Sequence, residues 1–163
     1  MSAYFPSANK PDVKGLIQAL AQNTSDDTLS RAITPPQWEA LAPYLQPFAI
    51  AESQALITQG SQDRTVYFIE TGSLSVHYED DAGRVRLAIL GAGSGVGEGG
   101  FFSHLPRSAT VQAVSACKLW RLTPMKFAEL SNRQPVVALA LVMGLGGLVA
   151  RRMTDQRKRI AVT

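Results

Sequence analysis

The chain has 163 residues, 45% apolar and 18% charged, with a formal net charge of +3, which fits one globular domain with a real core and excludes a disordered or fibrous chain. Its single cysteine, Cys117, excludes a disulfide framework, and the start "MSAYFPSANKPD" lacks the basic and apolar regions of a signal peptide, so a cytoplasmic protein is expected. The longest apolar run, Val136 to Ala150, falls short of the roughly 20 residues of a membrane span, so no membrane contact is expected.

Residues 1–12 read as a loose arm, and "VKGLIQAL" then spaces Val13, Leu16, Ile17 and Leu20 as one apolar helix face. Together, residues 1–33 are read as an N-terminal arm and short helix, and 34–163 as the main domain. That domain opens on "ITPPQWEALAPYL", a second helix with Thr34 as N-cap, Pro35 in the first turn and Gln37 at the capping-box position. From about Ala49 the period becomes two. "TVYFIETG", "SLSVHYED", "VRLAIL", "ATVQAV" and "KLWRL" are short strands separated by turn signals such as Thr71-Gly72 and "DDAG". Strands at this spacing, with little helix between them, predict an antiparallel jelly-roll barrel. After Thr123 helix returns as "PMKFAEL", and a long helix opens at Pro135 and runs to about Arg159. The fold class is therefore α+β: a jelly-roll barrel flanked by N-terminal helices and a long C-terminal helix.

The charge is uneven along this order. Met1 to Ala150 carry 11 Lys and Arg against 12 Asp and Glu, so the positive excess lies in "RRMTDQRKRIAVT". A solvated helix end, whose cations suit the helix dipole, is favoured there over a nucleic-acid contact. The preceding run, "VVALALVMGLGGLVA", is apolar nearly all round, which a monomer buries with difficulty. A homodimer seam on this helix is expected, with Leu145 and Leu148 as residues to test it.

The chemistry concentrates in "GVGEGGFFSHLPRSATVQA", Gly95 to Ala113. Gly95-x-Gly97-x-x-Gly100 formally matches a dinucleotide fingerprint. That fingerprint must open the helix of a βαβ unit and be followed about 20 residues on by an acid, whereas here Pro106 follows and the next acid after Glu98 is Glu129. A phosphate loop fails too, since no Gly-Lys-Ser/Thr follows. One alternative for Glu98 and Arg107 is a surface ion pair bracing a loop.

The same stretch resembles the phosphate-binding cassette of the cyclic-nucleotide-binding domain family of catabolite activators, kinase regulatory subunits and gated channels. Gly97-Glu98 and Arg107-Ser108-Ala109-Thr110-Val111 carry the resemblance, and it extends through Gln59-Gly60, Asp63, "YFIETGSLSV", "LAILGAGSGVGE", "CKLWRL" and Phe127, roughly residues 35–160. It implies that Arg107, with backbone N–H groups near Ser108 and Ala109, holds the cyclic phosphate, and that Glu98 accepts from the ribose 2′-hydroxyl. Gly97 would belong to the ligand-binding set with Glu98; Gly99 and Gly100 would let backbone approach the sugar, and Val76, Leu87 and Val111 would form the apolar base wall. The C-terminal helix resembles the family's lid, with Met153, Gln156 or Arg157 toward the base. The ligand implied is cyclic AMP, with cyclic GMP as the alternative, and no other cofactor. Gly99-Gly100 departs from the family pattern and weakens a helical turn by about 1 kcal/mol per glycine.

His77 and His104 lack metal-ligand spacing with any Cys or acid, and no catalytic motif is present, so no enzyme is expected. The sequence stops at Thr163 and shows no DNA-reading segment after the lid. The expectation is a signal-transduction receptor acting through an unidentified protein effector or its own dimer, without sequence-specific DNA binding. The alternative is a scaffold that keeps the fold without the ligand.

Overall fold

The computed structural model describes residues 10–155 and Val162. Gln156 and Arg157, residues 1–9 of the N-terminal arm and the end of the expected lid helix lie outside the described residues. Helix α1 spans Lys14–Gln22 and buries Leu16, Ala19 and Leu20, the apolar face that the spacing predicts. Helix α2, Pro35–Leu41, begins on the expected capping box: the Thr34 hydroxyl accepts from Gln37 N, and Gln37 Oε1 accepts from Thr34 N at 2.9 Å. A 3₁₀ turn at Ala42–Tyr44 leads into the strands.

Among the described residues eight strands follow: β1 (Gln46–Ile50), β2 (Ala55–Ile57), β3 (Val66–Thr71), β4 (Leu74–Asp80), β5 (Gly83–Leu90), β6 (Gly95–Val96), β7 (Thr110–Ala113) and β8 (Cys117–Leu122). They form two four-stranded sheets, β1-β8-β3-β6 and β2-β7-β4-β5, and every strand pair is antiparallel. This is the expected jelly-roll arrangement. Five strands match the period-two runs; β1, β2 and β6 were less visible, because two are two or three residues long and β1 is largely exposed. The "DDAG" turn joins β4 to β5, with Asp80 Oδ1 accepting from Ala82 N.

Between β6 and β7 lies a short helix α3, Glu98–Ser103, and after β8 come α4 (Pro124–Arg133) and α5 (Pro135–Met153). Two apolar clusters hold the molecule together. One fills the interior between the sheets, around Ile69, Leu74, Val76, Val111 and Leu119. The other joins the helices to sheet β1-β8-β3-β6, uniting Leu16, Leu29, Ile33 and Trp38 with Leu141, Leu145 and Leu148. Each such fully buried Leu contributes about 1.5–3 kcal/mol of burial free energy. Phe101 of α3 meets Phe127 of α4 edge to face at 5.1 Å, which ties the cassette to the helical layer.

Three expectations about α5 need correction. The helix ends at Met153 rather than near Arg159: Thr154 and Asp155 form a turn, and the Thr154 hydroxyl donates to Arg151 O at 2.7 Å, satisfying a carbonyl the helix leaves free. Leu145 and Leu148 do not face outward; both are fully buried against the protein's own core. The 15-residue apolar count also understates the helix. Its 19 residues reach a mean hydropathy of 1.7 over an 18-residue window, long and apolar enough to cross a membrane by length and composition alone. Its inner face nevertheless belongs to the core, with Leu141, Leu145 and Leu148 fully covered.

Candidate functional site

The cassette turns on Gly97, whose φ of +93° precedes α3. A side chain there is strained by that φ, and a Cβ would lie 2.5 Å from Thr65 O, so only glycine fits. The turn aims Gly97 O and Thr65 O at one guanidinium. Arg107 Nη1 donates to Gly97 O at 2.8 Å, and Nη2 donates to Thr65 O at 2.6 Å and to Asp63 Oδ2 at 3.0 Å. Backbone bonds pair Arg107 with the "QG" turn: Gly60 N donates to Arg107 O, and Arg107 N to Ser61 O, both at 2.8 Å. Burial would raise the Asp63 carboxyl's proton affinity. The hydrogen bonds from Arg107 and Thr65 outweigh it and hold Asp63 below the ordinary carboxylate range.

Glu98, the first residue of α3, is fully buried. Its Oε1 accepts from Arg152 Nη1 at 2.6 Å, while Oε2, equally buried, has no hydrogen-bond partner among the described residues. Arg152 also donates through Nε to Asp27 Oδ1 at 2.9 Å and through Nη2 to Gly95 O at 2.7 Å. Burial alone would lower the Arg152 pKa; the adjacent Glu98 and Asp27 carboxylates reverse that and raise it. The reading of Glu98 and Arg107 as a surface pair therefore does not hold. Both are buried, and each has a carboxylate–guanidinium partner of its own.

Residues of α3, of the turn that follows it and of α5 line a cavity of about 580 Å³: Gly99, Gly100, Ser108 and Met153 together with Leu105 and Val149. Val162 occupies its rim. Ser108 Oγ donates to Val162 O at 2.9 Å, and a Cβ on Gly99 would come within 2.6 Å of the same oxygen. Gly99 thus has a local use: it lets a carbonyl approach α3 closely. Val76 and Val111 are directly paired across β4 and β7 and fully buried in the interior between the sheets, where Ala109 is also buried. Leu87 packs half-buried against that cluster.

The structure thus gathers Gly99, Gly100, Ser108 and Met153 around one cavity, while Glu98 and Arg107 are buried and do not line it. It places Val76 and Val111 deeper in the barrel. Sequence reasoning missed Asp27, Thr65, Arg152 and Val162. Arg152 carried a readable signal. Ala138, Leu141, Leu145, Leu148 and Arg152 follow the 3-4-3-4 spacing of a buried helix stripe, so the arginine at its end falls inside and needs buried acids. The expectation of a solvated helix end is overturned at that residue. Its neighbour Arg151 is exposed but donates to Asp26 O and Thr28 O.

Residues 48–134 match the family described as the cyclic nucleotide-binding domain. The chain is 33% identical over 107 residues to the cAMP-activated global transcriptional regulator CRP of Salmonella typhimurium, covering 64% of this chain and 49% of that protein. It thus spans about half the length of the curated relatives it matches. Among solved structures, a cyclic nucleotide-binding domain from Methylobacillus flagellatus superposes with a TM-score of 0.75 at 21% identity, covering 90% of this chain and 80% of that one, which supports the fold. The regulatory domain of Toxoplasma gondii PKA, solved with cAMP, aligns at 28% identity and a TM-score of 0.60, covering 71% of this chain and 42% of that one. Cassette, barrel and match agree, and the chain belongs to the cyclic nucleotide-binding domain family.

Proposed function

We propose that the protein is a cytoplasmic receptor module for a cyclic nucleotide, cyclic AMP first, and that it binds rather than catalyses. Arg107 and Ser108 take the cyclic phosphate, with backbone N–H groups near Ala109. Glu98 takes the ribose, Val76, Leu87 and Val111 form the apolar wall for the base, and Met153 approaches from the lid. The observation that carries this reading is the buried Glu98 Oε2, which has no hydrogen-bond partner among the described residues. A buried acceptor without a donor is costly, and a ribose hydroxyl is a donor of the right kind. A guanidinium supplies the planar fork that an anionic phosphodiester needs. Because the Arg107 side chain is fully covered, ligand entry on this reading requires the rim to open.

The lid signal passes through α5 to a second copy or to an unidentified protein effector. A homodimer is supported by the outer face of α5. Val136, Leu139, Met143, Gly146, Ala150 and Met153 are all exposed and follow 3-4-3-4-3 spacing, the pattern of a two-helix seam. A scaffold that keeps the fold without ligand is the second reading, favoured by the seat of Val162 on Ser108. Calorimetric titration with cyclic AMP, cyclic GMP and cyclic di-GMP separates the two. Micromolar binding of cyclic AMP, tighter than of the others, is the expected result; absence of binding to all three leaves the scaffold.

A further inference from the structure

The buried cluster of Asp27, Glu98 and Arg152 joins three separate parts of the chain. Asp27 lies in the loop between α1 and α2, Glu98 opens the cassette helix, and Arg152 stands at the end of α5. All three are buried, with exposures of 6%, 0% and 3%. Buried ion pairs rarely add much net stability, because desolvation offsets the attraction, so the arrangement calls for another role. Its geometry is selective. Arg152 meets Glu98 through Oε1 alone, although a guanidinium readily grips a carboxylate with two parallel bonds. The guanidinium is shared instead: Nε goes to Asp27 and Nη2 to Gly95 O. Glu98 is thereby locked in orientation, its second oxygen stays available as an acceptor, and Asp27 draws off part of the cation that would otherwise weaken that acceptor.

We infer that Asp27 and Arg152 are positioning residues for Glu98, presenting Oε2 as the acceptor that distinguishes a ribose 2′-hydroxyl from a 2′-deoxy sugar. The proposal rests on the assignment of Glu98 to the ribose. It also makes sugar recognition depend on the N-terminal loop and on docking of the α5 end, since neither Asp27 nor Arg152 belongs to the cassette.

The test measures affinities for cyclic AMP and 2′-deoxy cyclic AMP with the full chain and with Glu98→Gln, Asp27→Asn and Arg152→Lys, each first confirmed folded by circular dichroism. Wild type is expected to prefer the ribonucleotide by roughly ten- to a hundredfold, the range of a hydrogen bond to a charged acceptor. Glu98→Gln should lose most of that ratio. Asp27→Asn should reduce it roughly three- to tenfold while 2′-deoxy affinity stays within about twofold, because only the acceptor's setting changes. Arg152→Lys, which keeps the charge but not the three-way fork, should fall between wild type and Glu98→Gln. If Glu98→Gln loses the preference while Asp27→Asn and Arg152→Lys keep it in full, the positioning role is wrong and the ribose assignment stands. Equal binding of the two nucleotides by wild type, or of neither, overturns the ribose assignment and this proposal with it. Should Arg152→Lys fail to fold, the Asp27→Asn ratio decides alone.

Discussion

Arg107 braces the cassette, and the proposed function gives it a second task, the phosphate. Its side chain is sealed from solvent and donates to two backbone carbonyls, Gly97 O and Thr65 O, as well as to Asp63. Removing it leaves two carbonyls and a carboxylate without that donor, each at the cost of an unsatisfied polar group. Arg107→Ala should therefore lower stability by about 2–4 kcal/mol, roughly 5–15 °C of Tm for a chain of this size, before any ligand is considered. Arg107→Lys should recover only part, because one ammonium cannot span three acceptors in different directions. A calorimetric melt of the two variants checks this; an Arg107→Ala protein melting with wild type would remove the bracing role. Where Arg107→Ala remains folded, cyclic AMP affinity should also fall by about 2–5 kcal/mol, the cost of leaving a desolvated anion without its cation.

At the scale of elements, what the sequence revealed followed periodicity. The period-two runs locate five strands and the capping box locates α2, whereas the cassette is identified by the family resemblance that Gly97-Glu98 and Arg107-Ser108-Ala109 carry. Contacts between distant segments were not legible. Nothing local ties Asp27 to Arg152, 125 residues apart, or Ser108 to Val162, 54 apart. Which face of helix α5 is buried was not legible for a related reason. It is apolar all round because it has two apolar faces, an inner stripe through Leu141, Leu145 and Leu148 and an outer one through Leu139 and Met143. The seat of Val162 leads to a direct test. Its carbonyl accepts from the Ser108 hydroxyl, a group assigned here to the cyclic phosphate, so ligand and tail compete for one donor. Removing residues 156–163 should tighten cyclic AMP binding about three- to tenfold, the worth of one net hydrogen bond. Titration of the shortened chain against the full one measures it; unchanged affinity means that Val162 does not compete.

For the whole molecule the question is what covers the outer face of α5. Val136, Leu139 and Met143 are 73%, 63% and 66% exposed, at i, i+3 and i+7 along one helix. Gly146, whose Cβ position meets no described atom within 4 Å beyond its own stretch of helix, continues the stripe and would allow two helices to approach closely. On the proposed reading a second copy covers it, since a stripe paired with itself about a two-fold axis is self-complementary. The dimer and the fold then depend on different residues of the same helix. Leu139→Glu or Met143→Glu places a charge in the seam and should give a folded monomer that melts close to wild-type temperature. Leu145→Glu or Leu148→Glu places it in the fully covered core, where an unpaired buried charge should cost roughly 3–5 kcal/mol and unfold or aggregate the chain. Light scattering at tens of micromolar, paired with a thermal melt, resolves the two classes. A wild-type monomer at that concentration counts against the seam, as would a Leu139→Glu protein that stays dimeric.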